Sequence, residues 1–136
     1  MSLPDLVRLK ARRTFGEYRP SVLVENLSPD SQARAFARAE SGRGAPVALF
    51  EAGNRWTLLT DSHLVGTTNL GVRALPLAMV GEDYRLRGDQ ESDDKVLLNW
   101  VSYDGETWFW APSAPDLSLL LNVLLSAARR NGGLNA

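Results

Sequence analysis

The chain has 136 residues, of which 44% are hydrophobic and 23% charged, and this fits one globular domain with a sizeable core. The formal net charge is only -1, which excludes a global field that would attract nucleic acid or an anionic membrane. The absence of cysteine excludes disulfides, thiolate zinc sites and cysteine nucleophiles. Because the first residues lack a secretion signal and no window has the ~20 apolar residues of a membrane span, we expect a soluble cytoplasmic protein.

The first predicted helix covers residues 5–13, with Leu6, Leu9 and Arg13 on one side. The first nineteen residues are locally basic. Such a charge pattern is typical of a solvated helix face, and a docking segment for an acidic partner or a membrane surface is the alternative.

The second predicted helix begins at Ser28, a typical N-cap residue, with Pro29 in the first turn. Its body covers residues 31–40. The residues predicted to share one face are Ala33, Phe36, Ala37 and Glu40.

The glycine-containing segment at residues 41–44 is predicted to end this helix and to mark an internal boundary. Residues 1–44 contain too few large apolar side chains to hold a core of their own. We therefore predict an N-terminal helical extension at residues 1–44 and the main domain at residues 45–133.

The first hairpin is predicted around a Gly-Asn turn at residues 53–54, between two apolar strands. A two-residue loop places Leu49 opposite Leu58, and it places Glu51 opposite Trp56. The residues on the candidate core face are then Val47, Leu49, Trp56 and Leu58.

Three further strands are predicted at residues 63–68, 72–80 and 84–87. Pro76 lies inside the second of them, which implies an edge position, a bulge or a bend. An acidic loop follows, with the carboxylates of Asp89, Glu91, Asp93 and Asp94. Because the glycine and the distal glutamate of a calcium-binding EF-hand loop are missing, we predict a solvated loop and no metal site.

The last hairpin has the clearest turn signal, an Asp-Gly pair at residues 104–105. A two-residue turn pairs Trp100 with Phe109, and it pairs Val101 with Trp108. One face then carries Leu98, Trp100, Phe109 and Ala111, and the other carries Leu97, Val101, Trp108 and Trp110. Because both faces are apolar, either each is covered or one is a contact surface.

The final helix is predicted to begin at Ser113, which forms a capping-box-like start with Asp116, and to stop at residues 131–133. Its apolar stripe consists of Leu117, Leu120, Leu121, Leu124, Leu125 and Ala128. So wide an apolar arc suits a helix that fills the opening of a barrel or sandwich. The sequence therefore predicts an α+β fold, with a seven-stranded antiparallel barrel or sandwich capped by a C-terminal helix.

Residues 55–65 and the Trp-Phe-Trp tripeptide at residues 108–110 resemble the pleckstrin-homology-like barrel of bacterial and GRAM-type proteins. Thr60 matches the threonine of the family's Thr-x-x-Arg-Leu strand pair, and His63 stands where arginine is usual. Strand count and order are similar over residues 46–130. The resemblance implies a binding or scaffolding module, usually without catalysis.

The same resemblance bears on lipid binding. Lipid-binding members of the family hold inositol phosphates with several basic residues around the first hairpin. This hairpin offers Arg55 alone. The comparison therefore argues against phosphoinositide or membrane binding.

The Asp61-Ser62-His63 tripeptide contains the residue types of a hydrolase triad. Triad members meet in space and are rarely sequence neighbours, and in a strand Ser62 would point away from both of its neighbours. We therefore assign no catalytic residue and expect no cofactor.

Two sets of candidate binding residues remain. The candidate interaction surface consists of Trp108, Trp110, Val101 and Leu97. The candidate anion-binding residues are Arg73, Arg85 and Arg87, on predicted neighbouring strands. Arginines in such positions usually pair with carboxylates, here Glu82 or Asp89.

The leading interpretation is a non-enzymatic module that binds a protein partner or a second copy of itself, and not nucleic acid. One alternative is a small-ligand-binding protein or an enzyme with a pocket between sheet and helix. Another is an α+β chaperone of the secretion type, with a large dimer face.

Overall fold

The computed structural model describes residues 1–89 and 98–133, which form three α-helices and one antiparallel sheet of seven strands. The helices are α1 (Leu3–Tyr18), α2 (Pro29–Ala39) and α3 (Ala114–Gly133). The strands are β1 (Pro46–Ala52), β2 (Arg55–Thr60), β3 (His63–Thr68), β4 (Gly71–Pro76), β5 (Arg85–Gly88), β6 (Leu98–Ser102) and β7 (Phe109–Trp110). The predicted α+β class, with its seven-stranded antiparallel sheet, C-terminal helix and N-terminal helix, is confirmed.

The sheet divides into two groups of strands. Strands β1 to β4 form a meander in which each strand pairs with the next, and β5 to β7 form the second group. The two groups meet where Thr68 of β3 pairs with Phe109 of β7. The strand path runs β1-β2-β3-β7-β6-β5, with β4 on the side of β3, so the described sheet is not closed.

The register predicted for the β1–β2 hairpin is confirmed: Leu49 pairs with Leu58, and Glu51 with Trp56. Gly53 adopts a φ of +61°, which the tight turn requires. The prediction of a single core face is incomplete, because both faces of the hairpin are covered. Leu49 and Leu58 pack in a small core with Ala35 and Ala39 of α2. The main core lies on the opposite face and contains Ala48, Phe50 and Leu59.

The register predicted for the β6–β7 hairpin is wrong. Trp100 pairs with Trp110, and Val101 pairs with Phe109. The connection is longer than the predicted two-residue turn, because a carboxylate oxygen of Asp104 accepts hydrogen bonds from the backbone N–H groups of residues 106 and 107, at 2.8 and 2.7 Å.

Helix α1 packs against α3 and contributes to the main core. Its buried residues are Val7, Ala11, Thr14 and Phe15. The ring of Phe15 meets that of Phe50 edge-on, with the centroids 5.7 Å apart. The face predicted for this helix is wrong, since Leu6 and Leu9 are only half-buried and Arg13 is exposed.

Helix α2 begins as predicted, with the Oγ of Ser28 accepting a hydrogen bond from the Ser31 backbone at 3.2 Å. The predicted face of Ala33, Phe36, Ala37 and Glu40 is wrong. The helix instead buries Ala35 and Ala39, and it leaves Phe36 60% exposed. Small side chains let α2 approach the β1–β2 hairpin closely.

Helix α3 begins at the predicted cap, where Ser113 Oγ accepts a hydrogen bond from the Asp116 backbone at 3.1 Å. It ends at Gly133, within the predicted stop at residues 131–133. The Nδ2 group of Asn131 donates to the carbonyls of Leu77 and Val80, at 2.8 and 2.9 Å. This anchors the end of α3 to the turn after β4. None of the described helices is long and apolar enough to cross a membrane.

The predicted strand at residues 72–80 is too long. Strand β4 ends at Pro76, and a 3-10 turn follows at Leu77–Met79. Of the edge position, bulge or bend that Pro76 implies, the structure shows the strand ending at Pro76, where the chain turns away. Among the described strands, β4 pairs with β3 alone and is an edge strand.

Candidate functional site

Three of the four tryptophans lie against arginine guanidinium groups. Strand register explains one of these contacts, because Arg87 of β5 pairs directly with Trp100 of β6. The Arg87 guanidinium carbon lies 5.8 Å from the Trp100 ring and 4.4 Å from the ring of Trp108. On the other side, Arg55 lies 5.4 Å from the Trp100 ring. Arginine and tryptophan thus alternate across strands of both groups.

We call this region the Arg–Trp surface and define it by Arg55, Arg87, Asp89, Trp100 and Trp108. The two arginines and Asp89 are exposed, and the two tryptophans are half-buried. Cation–π contacts of this geometry stabilise the pair by about 0.5–1 kcal/mol at exposed sites. The surface therefore presents a partly rigid array of charged and aromatic groups.

Asp89 fixes one end of the Arg–Trp surface. Its Oδ1 accepts hydrogen bonds from Trp100 Nε1 at 2.8 Å and from Arg55 Nη1 at 3.1 Å. Its Oδ2 accepts from Asn99 Nδ2 at 3.1 Å. The Trp100 hydrogen bond, followed by those from Asn99 and Arg55, lowers the pKa of Asp89 below its ordinary value. The Asp89 carboxylate therefore already accepts hydrogen bonds from side chains of the protein itself.

The loop before β7 fixes the other end, at Trp108. The Trp108 backbone N–H donates to Asn69 Oδ1 at 2.8 Å, and Asn69 Nδ2 donates to the Glu106 carbonyl at 2.8 Å. Within the same loop, backbone hydrogen bonds from Thr107 and then Glu106 lower the pKa of Asp104 to about 2. Hydrogen bonds with the Asn69 and Asp104 side chains thus fix the backbone of the loop up to Trp108.

Arg87 differs from Arg55 in its charge partner. Arg55 forms an ion pair with Asp89, whereas no carboxylate of residues 1–89 or 98–133 lies within ion-pair distance of Arg87. A guanidinium that stacks on aromatic faces keeps the N–H donors at its edge available. The guanidinium of Arg87 is therefore held in position and can donate two parallel hydrogen bonds to an anionic ligand.

The predicted interaction surface is only partly present. Trp108 is accessible, but Val101 is fully buried and Trp110 only 4% exposed, so neither can be part of an exposed face. The observed register pairs Trp110 with Trp100 and Val101 with Phe109, so Trp110 and Val101 do not share the face that the predicted register gives them. Leu97 lies outside the described residues.

The predicted arginine set divides in two. Arg85 and Arg87 lie on β5, but Arg73 lies on β4, which does not pair with β5. The prediction of neighbouring strands is therefore wrong, although all three arginines are exposed. The expected carboxylates have other partners: Asp89 pairs with Arg55, and Glu82 with Arg129.

The sequence analysis missed Arg55 and Trp100 as members of the site. The sequence indicates Arg55 only as a possible phosphate ligand, and the predicted register places Trp100 on the opposite face of its hairpin. The alternation Arg85-Leu86-Arg87 next to a tryptophan-rich strand was the available signal. Only the correct β5–β6 register converts it into a contact.

The Asp61-Ser62-His63 segment lies at the turn from β2 to β3. Ser62 Oγ is 2.7 Å from His63 Nδ1, so the expectation that these side chains point apart is wrong. The Asp61 carboxylate accepts hydrogen bonds from Arg8 and from the backbone of Ala45, and not from His63. The three side chains therefore do not form the acid–histidine–serine relay of a hydrolase.

Among the described residues, no group of three or more histidine, aspartate or glutamate side chains is placed to hold a metal ion. Most of the acidic loop considered above, with Glu91, Asp93 and Asp94, lies outside the described residues.

The comparisons with known proteins returned no match. No family model, no curated protein and no solved structure is similar enough to this chain to assign a family. Function is therefore inferred from the geometry of the site.

Proposed function

We propose that this protein is a non-enzymatic interaction module that binds a protein partner, which includes the case of a second copy of the chain. The observation that supports this proposal is the stacking of Arg87 between Trp100 and Trp108 at the surface. Tryptophan and arginine are enriched in the residues that dominate binding energy at protein interfaces. Because these side chains are held in place before binding, their association with a partner loses little conformational entropy.

We also propose a pleckstrin-homology-like architecture. The element order supports it: a four-stranded meander, a second group of three strands and one C-terminal helix. The contact of the two groups at a single residue pair is compatible with two packed half-sheets. In this architecture the Arg–Trp surface lies where the start of β2 meets the second strand group.

The test compares wild type with Trp108→Ala and with Arg13→Gln, a control at an exposed position of α1. Light scattering over a range of concentrations gives the solution mass, and a quantitative pull-down from lysate gives the retained proteins. We expect either a dimer that Trp108→Ala dissociates, or a monomer whose retained partner falls about tenfold in that variant. The control should behave as wild type.

Circular dichroism must first show that Trp108→Ala is folded. If the folded variant then changes neither the mass nor any retained protein, the proposal is wrong. If the Arg13→Gln control also lost binding, binding would depend on general basic charge. That result would also contradict the proposal.

A further inference from the structure

The arginines of β5 have a spacing that limits which ligands they can bind together. Arg85 pairs with Ser102 and Arg87 with Trp100, so both arginines project from the same face of the sheet. Residues two apart on a strand are separated by about 6.6–6.8 Å. Two carboxylates on alternate residues of an extended peptide have this same separation.

Strand β5 also offers backbone groups. Among the described strands it pairs with β6 alone, so its outer edge is an edge strand of the sheet. Residues 85–87 are exposed, and Leu86 is 37% exposed. An extended segment can add to such an edge through main-chain hydrogen bonds, while its side chains supply specificity.

Charge favours an acidic segment at this edge. Neither Arg85 nor Arg87 has a carboxylate of the described residues within ion-pair distance, in contrast to Arg55. A groove of about 450 Å³ beside Arg85 is also lined by Asp83, Asp104 and Glu106. The loop hydrogen bonds leave the negative charge of Asp104 in place, and together with Asp83 and Glu106 it weakens the attraction of Arg85 for an acidic segment. Arg87, which stacks on two tryptophans, should therefore contribute more than Arg85.

From these observations we infer that the Arg–Trp surface, together with Arg85, binds an extended acidic segment of a partner protein with carboxylates on alternate residues. The backbone of the segment adds to the outer edge of β5, and its carboxylates reach over this strand to Arg87 and Arg85, whose guanidinium groups lie on the β6–β7 side. This inference rests on the proposed function and names the chemistry of the partner.

The experiment uses labelled peptides and the full chain. In the first peptide, glutamate occupies every second position among threonines; in the second, the same number of glutamates occupies every third position. In an extended chain the second spacing places successive carboxylates on opposite faces. A third peptide replaces the glutamates of the first by lysine. Fluorescence anisotropy gives the dissociation constants, and tryptophan emission reports contact with Trp100 and Trp108.

We expect the alternating acidic peptide to bind about tenfold more tightly than the other two, and more weakly as salt is added. Arg87→Gln should weaken it about tenfold and Arg85→Gln less, while Arg13→Gln should leave it unchanged. Equal binding of the two acidic peptides would overturn the inference, and so would binding that is insensitive to Arg87→Gln. Equally strong competition by inorganic polyphosphate would overturn it too, because it would assign the surface to polyanions in general.

The peptide experiment can fail independently of the Trp108→Ala test of the proposed function. If Trp108→Ala abolishes the natural interaction but the alternating peptide shows no preference, only the inference about the partner is wrong. If Trp108→Ala has no effect on mass or on retained proteins, the proposed function itself is wrong.

Discussion

Arginine lies over tryptophan in two regions of this molecule, and the regions differ in what balances the arginine charge. On the α2 side, Arg38 lies 4.8 Å from the Trp56 ring centre. Both Arg38 and Arg34 donate hydrogen bonds to Glu51 of β1. The bond from Arg34, followed by that from Arg38, lowers the pKa of Glu51. Here both cations bind the same carboxylate, and the cluster attaches α2 to the first hairpin.

On the Arg–Trp surface the same residue types are incompletely paired. Asp89 binds Arg55 and Trp100, and no described carboxylate binds Arg87. An arginine with its carboxylate partner contributes to packing, whereas one that is positioned by aromatic rings but lacks an anion can receive one from a ligand. The comparison teaches that the carboxylates distinguish the structural cluster from the candidate binding surface.

The largest expected effect separates the two tryptophans of residues 108–110. Trp110→Ala should lower the free energy of unfolding by about 3–5 kcal/mol, because it removes a large buried side chain and leaves a cavity. Trp108→Ala should lower it by about 1 kcal/mol, since it removes a half-buried ring and one cation–π contact. Urea denaturation measures both values. Equal losses would contradict the distinction between a core residue and a surface residue.

The next effect concerns the paired cluster. Glu51→Gln should destabilise the protein by about 1 kcal/mol, because it removes the carboxylate shared by Arg34 and Arg38. The folded-state pKa of Glu51 lies below the unfolded value, so this stabilisation is present above the unfolded pKa and is lost as pH falls through the folded pKa. Wild type and variant should therefore differ at neutral pH and converge in acid. A difference that persists in acid would exclude the ionised carboxylate as the cause.

A smaller effect should come from Asp104, which shapes the loop before Trp108. Its pKa of about 2 in the folded state lies below the unfolded value of ~3.9, so its stabilisation is complete above ~pH 4 and is lost as pH falls toward ~2. Because Asp104 is exposed, we expect only about 1 kcal/mol or less of the full linkage energy. Denaturation of wild type and Asp104→Asn at several pH values measures this. A variant as stable as wild type at neutral pH would contradict the assigned role.

The accuracy of the fold predicted from the sequence depended on two features, the turns between strands and the buried faces of the helices. The register of the first hairpin followed from a two-residue turn with glycine at positive φ. The second hairpin carries an equally strong Asp-Gly signal, but the Asp104 side chain bonds the backbone beyond it and lengthens the connection. The resulting shift by one position makes Trp110, and not Phe109, the cross-strand partner of Trp100, and of these two rings Trp110 is buried and Trp100 half-buried.

The faces of α1 and α2 could not be predicted for a different reason. In both helices arginines are interspersed among scattered apolar residues, so the sequence alone does not specify which of the apolar residues face the core. The choice among them depends on what each helix meets: α3 and Phe50 for α1, and the β1–β2 hairpin for α2. Likewise, the Arg–Trp surface combines residues that are distant in sequence, such as Arg55 and Trp100, so no local pattern specifies it.

The smallest expected effect on stability is the sharpest test of the comparison. Arg87→Gln removes cation–π contacts, of which only the one with Trp108 is close, and no described ion pair. The free energy of unfolding should therefore fall by only about 0.5 kcal/mol, the lower end of the range for an exposed contact. Arg38→Gln is the matched variant, because Arg38 also lies over a tryptophan but donates to Glu51 and is only 23% exposed at its side chain. We expect Arg38→Gln to destabilise the protein by about 1 kcal/mol and to leave partner binding intact. The reverse should hold for Arg87→Gln. If Arg87→Gln were as destabilising as Arg38→Gln and binding were unchanged, both regions would be structural clusters.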